Sequence, residues 1–166
     1  MPPISLLLVD DNPRFLQVLS RFLHTRYSAD VAVIGMARNG IEALARAQVV
    51  RPQVVLLDLA MPGMPGWEVI PRLRKELPEV GIIVLTLLES GGYREKVLEA
   101  GADAFIGKSA LATELMPAIC RVATSRLQRI PGEDIGSVLS GELIGGHETP
   151  EHVEERHVRA SVGHRR

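Results

Sequence analysis

The stretch Ile4-Ser5-Leu6-Leu7-Leu8-Val9-Asp10-Asp11 decides the fold. It is a short, almost unbroken apolar run that stops at two carboxylates. A run of this length with no polar face reads as a strand covered on both sides, too short for a buried helix. Val31 to Ala37, Val54 to Leu57 and Ile82 to Leu85 read the same way. The stretches between them have helical spacing. Phe15, Leu16, Leu19, Phe22 and Leu23 follow an Asn12 cap and Pro13, and Ile41, Leu44, Ala45 and Ala47 follow Asn39-Gly40. Trp67 to Leu77 predicts a third helix and Tyr93 to Ala100 a fourth, closed by Gly101. Asp103 to Ile106 predicts a short fifth strand, and Leu111 to Leu127 a last helix that Pro117 kinks or splits.

Five rounds of strand then helix imply right-handed crossovers and an α/β, doubly wound parallel sheet with helices on both faces. Ligand sites in such folds lie at the carboxyl ends of the strands. Asp10 and Asp11 follow the first strand and Asp58 the third, so three carboxylates are expected to converge in one crevice.

The 166 residues are 46% hydrophobic and 23% charged, enough for one domain with a sizeable core and too few for two ordinary ones. A formal net charge of -1 supplies no basic surface for a nucleic-acid backbone, which disfavours DNA binding. The single cysteine, Cys120, leaves no internal disulfide, and neither a signal-peptide pattern nor a membrane-spanning apolar run is present. A soluble protein of the reducing cytoplasm is the expectation.

These features divide the chain into a domain over 1–129 and a tail over 130–166. Beyond Ile130 the glycines multiply, aromatics vanish and four of the five histidines occur, which predicts a disordered tail. An apolar patch there, Ile135 to Leu139 with Leu143-Ile144, offers a docking segment. The spacing of His147, His152, His157 and His164 does not put metal ligands on one helix face.

Placing a phosphoryl group on a carboxylate needs an in-line nucleophile and neutralisation of the charge on the phosphoryl oxygens. Aspartates alone would repel the donor, and Mg²⁺ removes that repulsion by bridging carboxylate and phosphoryl oxygens. Asp10 and Asp11 are candidate metal ligands and Asp58 the candidate nucleophile, itself beside the metal. Thr86, at the end of the fourth strand, can donate a hydroxyl hydrogen bond, and Lys108, after the fifth, can pair with a phosphoryl oxygen.

Taken together, Leu8-Val9-Asp10-Asp11-Asn12-Pro13, Val54 through Asp58 to Gly66, Thr86, and Gly101-Ala102-Asp103-Ala104-Phe105-Ile106-Gly107-Lys108 resemble the receiver domain of bacterial two-component response regulators, over roughly residues 4 to 128. Each motif is common alone; their order, each at the end of a different strand, is specific. The resemblance implies a five-stranded flavodoxin-like sheet of order 2-1-3-4-5 and phosphorylation of Asp58 by a sensor histidine kinase or phosphotransfer protein. It implies Mg²⁺, or Mn²⁺ in its place, with the Ala60 backbone carbonyl as a further ligand. It also implies a two-state switch that couples Thr86 to Phe105, the aromatic on the fifth strand. Such a domain acts only on its own phosphoryl group and is not an enzyme in the usual sense.

The chain departs from the family pattern at several positions. Leu87 and Leu88 follow the threonine where a small residue is usual, and Ala60 lacks a polar side chain to orient water. Both changes predict slow loss of the phosphoryl group. Phe105 has no hydroxyl, so its states differ by packing, and Ser109 replaces the proline that commonly follows the lysine.

The wording is nearest to receivers that precede a helix-turn-helix domain, yet the 36 residues after Ile130 are too few for one. The expected output is a phosphorylation-controlled contact with a downstream protein or a second copy of the chain. A phosphorylation-independent scaffold and a truncated transcriptional regulator are the alternatives. Aspartate-nucleophile phosphatases and flavin-binding relatives of the fold fit less well, because the first strand ends Asp10-Asp11-Asn12-Pro13 with neither an Asp-x-Asp motif nor a phosphate loop.

Overall fold

A computed structural model describes residues 1–129. The tail expected over 130–166, with its apolar patch and histidines, lies outside the described residues. The elements run β1 (Ile4–Val9), α1 (Pro13–Tyr27), β2 (Val31–Ala37), α2 (Gly40–Val50), β3 (Val54–Leu57), α3 (Gly66–Glu76), β4 (Gly81–Thr86), α4 (Tyr93–Glu99), β5 (Ala104–Gly107) and α5 (Leu111–Leu127). All strands pair in parallel in the order β2-β1-β3-β4-β5, the doubly wound flavodoxin-like arrangement.

Strand alternation sorts the apolar runs into two cores. Leu7, Val55, Leu57, Ile82 and Val84 face α2, α3 and α4, where Ala47, Val69, Ile70 and Leu73 meet them. Leu6, Leu8, Val54, Leu56 and Ile83 face α1 and α5, meeting Leu19, Leu23, Leu115 and Ile119. Every residue of β3 and β4 is buried because each strand has a neighbour on both edges and helices on both faces.

The expectation that β2 is likewise buried on both faces is corrected. Only Val31 and Ala37, its end residues, are buried, because β2 is an edge strand. Its pairing with β1 jumps from Leu6 opposite Val33 to Leu7 opposite Gly35, so Ile34 is bulged out of register and exposed. In α2 the buried face is Gly40, Ala43 and Ala47, while Ile41 stands in solvent. The helix packs too closely on α3 for a large residue: a Cβ on Gly40 would lie 2.7 Å from Val69. Pro117 neither splits nor ends α5. It lies on the exposed side of the helix, as does Thr113, whose carbonyl it deprives of an N–H partner.

Helix starts follow the sequence. The Asn12 side chain accepts from the N–H groups of Arg14 and Phe15 at 3.0 and 3.2 Å, and Asn39 accepts from Glu42 at 2.8 Å. At the opposite end of the sheet from these caps, Asp103 precedes β5 and does not enter it. Its carboxylate takes bonds from the Ile82 N–H and from Arg74 and Arg126, tying α3 and α5 to the start of β4.

Candidate functional site

Three strand ends converge. The Asp10 N–H donates to the Ala37 carbonyl at 3.1 Å and the Asp58 N–H to the Val9 carbonyl at 2.9 Å, so each aspartate is held one step beyond its strand as a continuation of the sheet. Asp10, Asp11 and Asp58 each offer an oxygen within 4.8 Å of the others. Asp10 and Asp58 are 2% and 5% exposed, and Asp11 is the more accessible member. Lys108, at the end of β5, reaches into the same place. Its ammonium lies 2.5 Å from Asp10 Oδ2 and 3.6 Å from Asp58 Oδ1.

Further bonds fix the pocket. Asp10 Oδ1 accepts from the Asn12 N–H at 2.9 Å, so the cap of α1 and the acidic pair form one unit. On the other side, Gly66 opens α3 directly beneath Asp58. Its N–H donates to the Leu59 carbonyl at 2.9 Å, and a Cβ there would stand 2.5 Å from the Asp58 carbonyl oxygen. Only glycine allows α3 to approach this strand end so closely.

The electrostatics are those of an under-compensated anion site. Burial pushes the Asp58 carboxyl up from 3.8 to about 6; Lys108 opposes the shift, Asp10 and Asp11 add to it, and a bond from the Leu59 backbone N–H opposes it. One ammonium faces three carboxylates. The donor set is all oxygen and clustered, and its charge is only partly balanced, so the residues fit a hard divalent cation such as Mg²⁺.

Thr86, fully buried at the end of β4, accepts from the Leu88 N–H at 3.0 Å, which leaves its hydroxyl hydrogen free to be donated. Phe105 is 8% exposed and turned into the core, with the Arg94 guanidinium 5.9 Å from its ring centroid. Ala60 is exposed beside the acidic cluster. Of the two leucines that follow Thr86, Leu87 is 76% exposed and Leu88 is half-buried. Among the described residues no peptide bond is cis, in keeping with Ser109 in place of proline.

Sequence reading misses two contacts at this site. Phe15, whose spacing reads as an ordinary core position of α1, has its ring centroid 4.1 Å from the Lys108 ammonium. Ser109 Oγ donates to Glu89 Oε1 at 2.7 Å, clasping the loop after β4 to the loop after β5. Neither pair is adjacent in sequence, and no local pattern announces either. Trp67 of α3 stacks on Tyr93 of α4 with ring centroids 6.2 Å apart and remains 42% exposed.

A doubly wound sheet with an acidic crevice and a lysine at its carboxyl edge is the arrangement of a receiver-type domain. Residues 6–120 match the response regulator receiver domain family, and the chain belongs to it. It is 32% identical to the response regulator protein VraR of Staphylococcus aureus over 116 residues, 70% of this chain and 54% of that protein. The chain thus spans about half the length of the curated relatives it matches. Among solved structures, it resembles the response regulator domain of Thermotoga maritima CheB with a TM-score of 0.67 at 27% identity, covering 74% of this chain and 97% of that one. It also resembles a LuxR-family DNA-binding response regulator from Staphylococcus aureus with a TM-score of 0.66 at 29% identity, covering 72% and 98%. Receiver domains are signalling modules of two-component systems. Among the described residues no helix is long and apolar enough to cross a membrane.

Proposed function

We propose that this protein is a cytoplasmic phosphoacceptor response regulator, phosphorylated on Asp58 with Mg²⁺ by a sensor histidine kinase or phosphotransfer protein, and that it signals through protein contacts. The observation that carries this reading is the meeting of Asp10, Asp11 and Asp58 from two strand ends with Lys108 from a third.

Asp10, Asp11, Asp58 and the Ala60 carbonyl would hold the cation, which supplies charge neutralisation when bound. The remaining work falls to the chain itself. The Asp58 carboxylate attacks phosphorus and forms an acyl phosphate as the bond from phosphorus to the donor's histidine nitrogen breaks and the imidazole leaves. Lys108 then turns from a carboxylate to a phosphoryl oxygen, and Thr86 donates its hydroxyl hydrogen to another. Thr86 can donate while it still accepts from the Leu88 N–H, so its move toward the phosphoryl group draws the loop after β4 with it, and Phe105 then repacks in the space this opens. Phosphorylation biases the two arrangements by these contacts alone.

The altered face offers itself to a downstream protein or to a second copy of the chain. Beryllofluoride with Mg²⁺ tests the reading directly. Mg²⁺-dependent changes are expected in the amide spectrum around Asp58, Thr86 and Phe105. A spectrum that Mg²⁺ and beryllofluoride leave unmoved supports a phosphorylation-independent scaffold instead.

A further inference from the structure

Lysine carries its charge on a flexible four-carbon stem, so an ammonium that must meet changing anionic partners needs something else to hold it. The ammonium of Lys108, whose side chain is 12% exposed, touches Asp10 and faces Asp58, the groups whose state changes when the pocket binds a cation or a phosphoryl group. Its third neighbour does not change. Phe15, in the first turn of α1, presents its ring with the centroid 4.1 Å from Lys108 Nζ. That turn is pinned in place, because the Phe15 N–H donates to the Asn12 cap and the Asn12 N–H donates to Asp10. The ring is therefore registered to the acidic pair by two hydrogen bonds, and the negative face of its π system lies where the charge sits.

We infer that Phe15 is a positioning residue: its ring holds the Lys108 ammonium over the pocket while the anionic partners exchange, and so sets the rate at which Asp58 captures a phosphoryl group. The inference rests on the reading of Asp58 as phosphoacceptor. The ring also packs against the core between the sheet and α1, so a packing role must be separated from a charge-holding one.

The full chain, acetyl phosphate and Mg²⁺ make that separation. Phe15→Leu keeps an apolar side chain and removes the π face; Phe15→Tyr keeps both. At saturating acetyl phosphate the labelling rate constant falls about 3-fold to 30-fold in Phe15→Leu, the range set by a cation over an aromatic ring. It stays near the parent in Phe15→Tyr. In a Lys108→Ala background Phe15→Leu adds nothing to the residual rate, because the partner is gone. An equal loss in that background assigns the effect to packing and overturns the inference. A second readout needs no phosphoryl donor: the ring current shifts the Lys108 ε-methylene protons upfield in the parent and Phe15→Tyr, and Phe15→Leu abolishes the shift. A parent that is labelled but lacks it overturns the positioning claim alone. A parent that shows the shift yet accepts no phosphoryl group overturns the phosphoacceptor reading and the rate claim with it.

Discussion

Lys108 is bonded to Asp10 and not to Asp58: its ammonium lies 2.5 Å from the first carboxylate and 3.6 Å from the second. The candidate nucleophile is thus near enough to feel the positive charge and too far to be tied up by it. Removing that charge leaves Asp58 with burial and two neighbouring aspartates, all of which favour the protonated acid. In metal-free Lys108→Met, the titration of the Asp58 carboxyl carbon is expected to move above the parent's midpoint of about 6. An unmoved midpoint contradicts the geometry.

The same carboxyl makes stability depend on pH. Its folded pKa is raised from 3.8 to about 6, so its contribution is fully present below pH 3.8 and is lost as pH rises through 6. Asp58→Asn removes that loss. In the presence of a chelator the variant should match the parent near pH 4 and exceed it at pH 7 by about 3 kcal/mol, because the rise from 3.8 to about 6 is worth about 1.4 kcal/mol for each tenfold change in proton affinity. Urea unfolding at the two pH values measures the difference, and an equal gap at both contradicts the assignment.

Much of this arrangement is legible in the sequence. Strands buried on both faces announce themselves as unbroken apolar runs, and a run that halts at Asp10-Asp11 or Asp58 marks a strand end and a site together. What the sequence hides depends on neighbours. An edge strand and a central strand can share a composition, so β2 reads as fully buried although Ile34 bulges outward. The buried face of α2 escapes the apolar pattern because the close approach of α3 admits only small residues, putting Gly40 and Ala43 inward and Ile41 out. Phe15 over Lys108 and Ser109 on Glu89 join residues far apart in the chain, brought together only by the sheet order.

The close approach of α3 to the site is itself open to test. Gly66→Ala puts a methyl against the Asp58 carbonyl and the Leu59 Cα, both backbone atoms that cannot step aside. The expected cost is about 1–3 kcal/mol of stability, as for other overpacked sites. The loss should come with altered amide shifts at Asp58 and Leu59. A variant as stable as the parent would show that α3 can retreat without consequence.

Persistence of the phosphoryl group is decided by what orients or admits water. Ala60 is exposed beside the cluster but has no polar group, and Leu88 is half-buried nearby in the chain after Thr86. Ala60→Asn and Leu88→Glu each supply a polar group that can hold water, so both should shorten the lifetime of the phosphorylated protein, by several-fold. Decay of labelled protein after removal of donor checks this. A parent lifetime as short as those of the variants contradicts it.

The central claim is that Asp58 accepts the phosphoryl group. The most direct measurement is the mass of the intact protein after incubation with acetyl phosphate and Mg²⁺, for the parent and Asp58→Ala. The expected result is one added phosphoryl group on the parent, dependent on Mg²⁺, and none on Asp58→Ala. Labelling that survives in Asp58→Ala, or a parent that stays unlabelled with Mg²⁺ present, contradicts it.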